Sequence, residues 1–151
     1  ICELERLVKS GDRLLDMGCG SGILSVAAHM LGAEDVTAVD IDPNAVRIAA
    51  ENAEKNGFAL HTGVGDVIGD AELSARIGGD YDIIVANIVA DVIMGMQDIL
   101  KSKLKREGTL IVSGIIAPRA DEVQASLLDA GFVLDRRDQS GDWVAMTLHQ
   151  A

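Results

Sequence analysis

The segment Asp16-Met17-Gly18-Cys19-Gly20-Ser21-Gly22 limits how this chain can fold more than any other. It joins a short apolar run, Arg13 to Met17 (RLLDM), to an amphipathic stretch, Ser21 to Leu31, with Ile23, Val26, Ala27 and Met30 at helical spacing. Glycines permit positive φ and leave no Cβ in the path of a ligand. The first turn of a helix offers unpaired amides beside them. A strand passing through such a loop into a helix opens an α/β sheet, whose ligands sit outside the carboxyl ends of the strands. Three alternating glycines are more than a tight turn needs.

The rest of the chain repeats the alternation. Strands are expected at Asp35 to Asp40, more weakly at Phe58 to Gly63, and at Tyr81 to Asn87, Thr109 to Ser113, Val133 to Asp138 and Trp143 to His149. Between them, Gly32 closes the first helix. Asp42 caps the next, with Pro43 in its first position and Asn56-Gly57 at its end. Residues 65 to 80 read as a loop with a short helix. Helices are expected over Asp91 to Lys105 and Ala120 to Ala130, with a turn at Arg106-Glu107-Gly108. The first nine residues, ICELERLVK, read as a lead-in helix packed on the sheet. The expected fold is α/β: a mostly parallel seven-stranded sheet with a C-terminal antiparallel hairpin around Gly141-Asp142, and helices on both faces. Residues 1–151 form a single domain.

Composition narrows the function. Against 13 Lys plus Arg stand 24 Asp plus Glu, a formal net charge of −11, the wrong field for phosphate backbones, so direct nucleic-acid binding is disfavoured. With 48% hydrophobic and 25% charged residues the chain is globular, and with only 3% aromatics Ala, Val, Ile and Leu must fill its core. Cys2 and Cys19 form no CxxC pair, and His29, His61 and His149 are scattered, so neither a metal site nor a disulfide framework is expected. No apolar run reaches the roughly 18 residues of a membrane span, and no signal peptide is visible. The chain opens ICELERLV without an initiator methionine, and is expected to be part of a longer protein.

The spacing of the glycine loop separates two cofactor classes. A dinucleotide fingerprint GxGxxG needs glycine at position 23, where this chain has Ile23. Asp16-x-Gly18-x-Gly20-x-Gly22 instead resembles the loop of class I S-adenosylmethionine-dependent methyltransferases. The resemblance implies that Asp16, Gly18, Gly20 and the Cys19 backbone surround the methionine part of the cofactor, whose ammonium favours an acidic setting. Asp40 stands 22 positions after Gly18, near the distance of a ribose-binding acid, and its carboxylate suits both ribose hydroxyls. NAD carries the same ribose, so Asp40 alone does not distinguish the two. Ile41 is placed to cover one face of the adenine. In the methyltransferase fold the acid at Asp66 reaches the adenine amino group, and the Val67 amide meets the ring.

Asn87-Ile88-Val89-Ala90 follows the fourth strand. An amide at a strand end points into the same crevice as the glycine loop and offers both a donor and an acceptor. Asn87 is the candidate catalytic residue: it holds the methionine part and orients an incoming amine, leaving Asp91 to cap the next helix. NIVA, with DxGCGSGILS at 16 to 25, VDIDPNAV at 39 to 46, ENAEKNG at 51 to 57, SGI at 113 to 115 and Gly141-Asp142-Trp143-Val144-Ala145 after Arg136-Arg137, resembles the PrmA family. These are ribosomal-protein methyltransferases acting on the large-subunit protein L-eleven. The resemblance implies S-adenosyl-L-methionine as cofactor, a ribosomal protein as partner, no metal, no membrane and a cytoplasmic location. Gly18, Asp40 and Asn87 match its cofactor-binding positions. The family also carries an N-terminal recognition domain, and a Thr-Gly-Thr segment upstream of the lead-in helix that gives a threonine to the cofactor site. Residues 1–151 are thus expected to be the C-terminal catalytic part of such a protein.

No histidine stands near the crevice as a general base, so the amine proton is expected to leave to water. Three other readings remain: a methyltransferase of RNA or a small molecule, a nicotinamide-dependent oxidoreductase, against which Ile23 counts, and a cofactor-binding module without catalysis.

Overall fold

The structure, a computed structural model, describes residues 2–151, with Cys2 described through its backbone alone. In chain order the elements are α1 (Cys2–Leu7), β1 (Arg13–Met17), α2 (Ile23–Met30), β2 (Asp35–Asp40), α3 (Pro43–Lys55), β3 (His61–Val64) and α4 (Ala71–Ile77). There follow β4 (Tyr81–Asn87), α5 (Ala90–Lys103), β5 (Leu104–Ile116), α6 (Ala117–Asp129), β6 (Phe132–Ser140) and β7 (Trp143–Gln150). The expected lead-in helix is present as α1, and its first residue lies outside the described ones.

The strands form one seven-stranded sheet in the order β3-β2-β1-β4-β5-β7-β6. The first five are parallel neighbours, and β7 runs antiparallel to both β5 and β6. The chain lays β2 and β3 on one side of β1, then returns to place β4 on the other. A crevice therefore opens between the carboxyl ends of β1 and β4, the place where open α/β sheets take their ligands.

Alternation along β4 sorts the core into two layers. Ile83 and Val85 pack with Leu14, Val36, Leu4 and Ala28, under α1 and α2. Ile84 and Ala86 face the opposite way and join Leu15, Ile93, Leu100 and Leu127, under α5 and α6. The central strands β1, β2 and β4 are buried on both faces, which is why they read as nearly unbroken apolar runs.

Several boundaries differ from the sequence reading. β5 begins at Leu104, which pairs with Tyr81, and the ladder then shifts so that Ile83 faces Thr109. The expected turn at 106 to 108 is thus an irregularity within a longer strand. Helix α5 stops at Lys103, whose ammonium donates to the carbonyls of Ser74 (2.6 Å) and Gly78 (2.8 Å) and ties its end to α4. Helix α6 starts at Ala117, earlier than expected, because Pro118 fits a first turn. β3 starts at His61 rather than Phe58, whose ring stacks on His29 at 4.0 Å between centroids.

Candidate functional site

β1 and β4 carry their residues to the crevice by register: Met17 pairs with Ala86, so Gly18 and Asn87 leave the sheet side by side. The approach is close. Gly18 has φ +77°, and a Cβ built on it would strike the side chain of Ile88 and lie 3.3 Å from the Asn87 carbonyl oxygen. The Gly18 and Cys19 amides both donate to the Val39 carbonyl, at 2.8 and 3.0 Å, which bends the loop across the end of β2. Gly22 has φ +82° and faces Ala49, with room there for no Cβ, so α2 and α3 close tightly beneath the loop.

Asp40 anchors the loop from the neighbouring strand. One carboxylate oxygen accepts from the Gly20 amide and the other from the Asp42 amide, each at 3.0 Å. Asp42 caps α3, accepting from the Asn44 amide at 2.9 Å. Asp66 takes an amide of its own loop, that of Ile68, at 2.9 Å.

A cavity of about 320 Å³ opens here, lined among others by Gly18, Asp40, Ile41, Asp66, Val67 and Asn87. Six of the residues expected around a cofactor are thereby brought to one place. Ile41 is 74% exposed at its rim and Val67 is buried in its wall. The sequence reading missed Ile88, Val89, Val92 and Met96, which complete the apolar lining. The helical spacing of Val92 and Met96, one turn apart at the start of α5, was the available signal.

Asp16, Cys19 and Gly20 are not among the residues that line the cavity. Asp16 is fully buried (0% exposed), one oxygen accepting from the Ser25 hydroxyl at 2.8 Å and the other without a partner in the protein. Burial pushes its carboxyl up to about 6, with the Ser25 hydrogen bond pulling the other way. The Cys19 thiol is pushed up to about 12 by burial and by the nearby carboxylates of Asp16 and Asp40.

The expected role of Asp91 as a helix cap is not realised. Val89 is the N-cap of α5 and makes no side-chain cap bond. Asp91 instead pairs with Arg119 of α6 at 2.6 Å.

The buried carboxyl yields a pH prediction. An acid whose pKa is higher in the folded chain binds its proton more tightly there. Its contribution to stability is thus full below the unfolded value of 3.8 and is lost as pH rises through about 6. Two units at about 1.36 kcal/mol each make roughly 3 kcal/mol. Asp16→Asn keeps an acceptor for Ser25 and removes the titration. Urea unfolding at pH 4.5 and 7 should find the variant more stable than the parent at pH 7 and less dependent on pH. Parallel pH profiles for the two proteins would assign the effect elsewhere.

These features suit S-adenosylmethionine on structural grounds. The orphaned Asp16 oxygen under the loop favours a cationic group above it, and the cradle at Gly18 excludes any side chain. A second cavity, about 330 Å³, lies at the opposite end of the strands, lined by Arg13, Asp35, His61 and Arg76 among others. There Arg13 and His61 both approach Asp35, at 3.6 and 3.7 Å. Among the described residues no helix is long and apolar enough to cross a membrane, and no group of three or more His, Cys, Asp or Glu is placed to hold a metal.

Comparison with known proteins agrees with this geometry. The family model "Ribosomal protein L11 methyltransferase (PrmA)" matches residues 1–151. The ribosomal protein L11 methyltransferase of Lactococcus lactis subsp. cremoris (strain MG1363) is 45% identical over 142 residues, 93% of this chain and 43% of that protein. That of Pelotomaculum thermopropionicum is 46% identical over 143 residues, 95% of this chain and 45% of the relative. The chain thus spans under half the length of these curated relatives. The crystal structure of a ribosomal protein L11 methylase from Lactobacillus delbrueckii subsp. bulgaricus superposes with a TM-score of 0.89 at 31% identity, covering 99% of this chain and 75% of that one. A model matched from end to end, and a solved member that shares the whole sheet, establish that the chain belongs to the PrmA family of ribosomal protein L11 methyltransferases.

Proposed function

We propose that residues 1–151 are the C-terminal catalytic part of a cytoplasmic enzyme that transfers methyl groups from S-adenosyl-L-methionine to amino groups of ribosomal protein L11. The observation that carries this reading is the convergence of Gly18, Asp40 and Asn87, the positions matched to the family's cofactor site, on one cavity at the β1/β4 crevice. When bound, the cofactor supplies an electrophilic methyl group on a sulfonium. The protein's task is positioning.

Asp40 would accept from the ribose hydroxyls, and Ile41, Val67, Val92 and Met96 would enclose the base with Asp66 at its edge. The Asp16 carboxylate would favour the ammonium of the methionine part. Asn87 is exposed at the end of β4. Its amide oxygen lies close to the backbone of Gly114 in β5. In this reading Asn87 accepts from the neutral acceptor amine and aims its lone pair, and the proton lost by that amine passes to water.

Labelled-methyl transfer to ribosomal protein L11 by the enzyme carrying this chain tests the reading. Asn87→Ala should lower kcat by about 100-fold, the scale of a misplaced reactant. Affinity for S-adenosylhomocysteine should fall as well, since Asn87 also stands at the methionine part of the cofactor site. Wild-type turnover in the variant would refute the role of Asn87, and absence of transfer to L11 by the parent would refute the substrate.

A further inference from the structure

The motif Glu51-Asn52-Ala53-Glu54-Lys55-Asn56-Gly57 closes α3, contributes nothing to the lining of the cofactor cavity, and has no part in the reaction as described above. One of its side chains nevertheless reaches back 31 positions to the glycine loop. The Asn52 side-chain amide donates to the Ser21 carbonyl at 2.8 Å.

The loop's other hydrogen bonds show what this one adds. The Gly18 and Cys19 amides go to the Val39 carbonyl, and the Gly20 amide goes to the Asp40 carboxylate. Both acceptors belong to β2, so β2 holds the first half of the loop. Ser21 comes next, before the N-cap of α2, Gly22, and outside that helix's own ladder. The Gly22 amide donates to the Cys19 carbonyl at 2.9 Å. The peptide joining Ser21 to Gly22 is therefore gripped at both ends, its carbonyl by Asn52 and its amide by Cys19. Glycine stands on either side of Ser21, with φ +53° at Gly20 and +82° at Gly22, so no Cβ there opposes rotation of the neighbouring peptides.

Packing brings Asn52 within reach. It lies one turn beyond Ala49 and beside Ala53, both buried, and Ala49 is the residue that meets Gly22. Small side chains at that contact let the backbone of α3 approach the loop closely enough for a short amide to span the gap. The start of α3 is fixed to the same assembly, because Asp42 caps it while donating its own amide to Asp40. The loop is thus held at Gly20 through Asp40 and at Ser21 through Asn52.

We propose that Asn52 is a positioning residue for the cofactor: by holding the Ser21 carbonyl against α3 it keeps the empty glycine loop in the shape the cofactor needs, so that binding does not have to order it. Asn52 acts through the loop alone. The proposal rests on the methyltransferase reading for the identity of the ligand, and extends its site to a residue outside the cavity wall.

The test uses the enzyme carrying this chain. Asn52→Ala should weaken binding of S-adenosylhomocysteine about fivefold, the scale of one hydrogen bond. Asn52→Asp keeps the size but turns a carboxylate toward a carbonyl, and should weaken binding at least as much. KM for S-adenosylmethionine should rise in parallel, with kcat near the parent's. In Asn52→Ala, hydrogen exchange at the Gly22 amide should quicken in the unliganded enzyme and return to the parent's rate once S-adenosylhomocysteine saturates the site. Parental affinity in Asn52→Asp would mean that the side chain works by bulk alone, and would overturn the proposal. So would unchanged exchange at Gly22, or exchange that quickens along the whole of α3 and stays fast when ligand is bound. Failure of the parent to bind S-adenosylhomocysteine would count against the cofactor reading, and Gly22 exchange in the unliganded variants would still decide whether Asn52 holds the loop.

Discussion

Asp40→Ala is expected to weaken binding of S-adenosylhomocysteine by at least about 100-fold. The carboxylate serves two ends at once. Within the protein it accepts the amides of Gly20 and Asp42, holding the glycine loop to β2. In the proposed complex it also accepts from the ribose. A hydrogen bond to a charged group is worth about 1.5–3 kcal/mol, so losing two of them at the ribose removes about 3 kcal/mol or more, a factor of 100 or above. Asp40→Asn keeps one acceptor and should fall between the two. Calorimetric titration gives the affinities, and a thermal melt of each variant separates lost binding from lost folding. An affinity for Asp40→Ala within threefold of the parent would remove Asp40 from the cofactor site.

Gly18→Ala should be more damaging than Gly20→Ala, although both glycines belong to one loop and both have positive φ. At Gly20 a Cβ meets nothing within 4 Å, so the substitution costs only the backbone strain of about 1–2 kcal/mol. At Gly18 the same strain is joined by collision with Ile88 and the Asn87 carbonyl. Overpacking of this kind typically adds about 1–3 kcal/mol. At about 2–4 °C per kcal/mol for a chain of this size, Gly18→Ala should melt roughly 5–15 °C below the parent, and Gly20→Ala only a few degrees below. Binding of S-adenosylhomocysteine should be lost at Gly18, since the shift of Ile88 enters the cavity itself. Equal melting temperatures for the two variants would mean that the loop yields at no cost and that the contact with β4 does not define the cleft.

What the sequence made readable is local. The apolar run before Asp16, the glycines after it and the cap at Asp42 each act within a few residues, and each was located from pattern alone. Asp40 and Asn87 were readable because a polar residue ending an apolar strand points out of the sheet's carboxyl edge, whereas Asp66, in the loop after β3, was readable only through the resemblance to the methyltransferase fold. Features fixed by partners far along the chain were not readable. Leu104 belongs to β5 only because Tyr81 pairs with it. Asp91 looked like a cap by position, but Arg119, remote in sequence, takes its carboxylate. The burial of Asp16 was not readable either, since it depends on the Ser25 hydroxyl that its carboxylate meets across the loop. The insertion of β7 between β5 and β6 had no local sign either.

That insertion sets an order of assembly. β7 is the last of the seven strands along the chain yet an interior one in the sheet, and β6, made before it, touches the sheet through β7 alone. While a nascent chain emerges, the unit from β1 to β5 can pair and bury its core, and the crevice between Gly18 and Asn87 can take shape. β6 has no berth until β7 arrives to fill the gap. Every residue lining the cleft at β1 and β4 lies within residues 17–96, so its walls draw nothing from β6 or β7. A chain stalled or cut before Trp143 should still hold the glycine loop, but with β5 as a raw, adhesive sheet margin where β7 belongs.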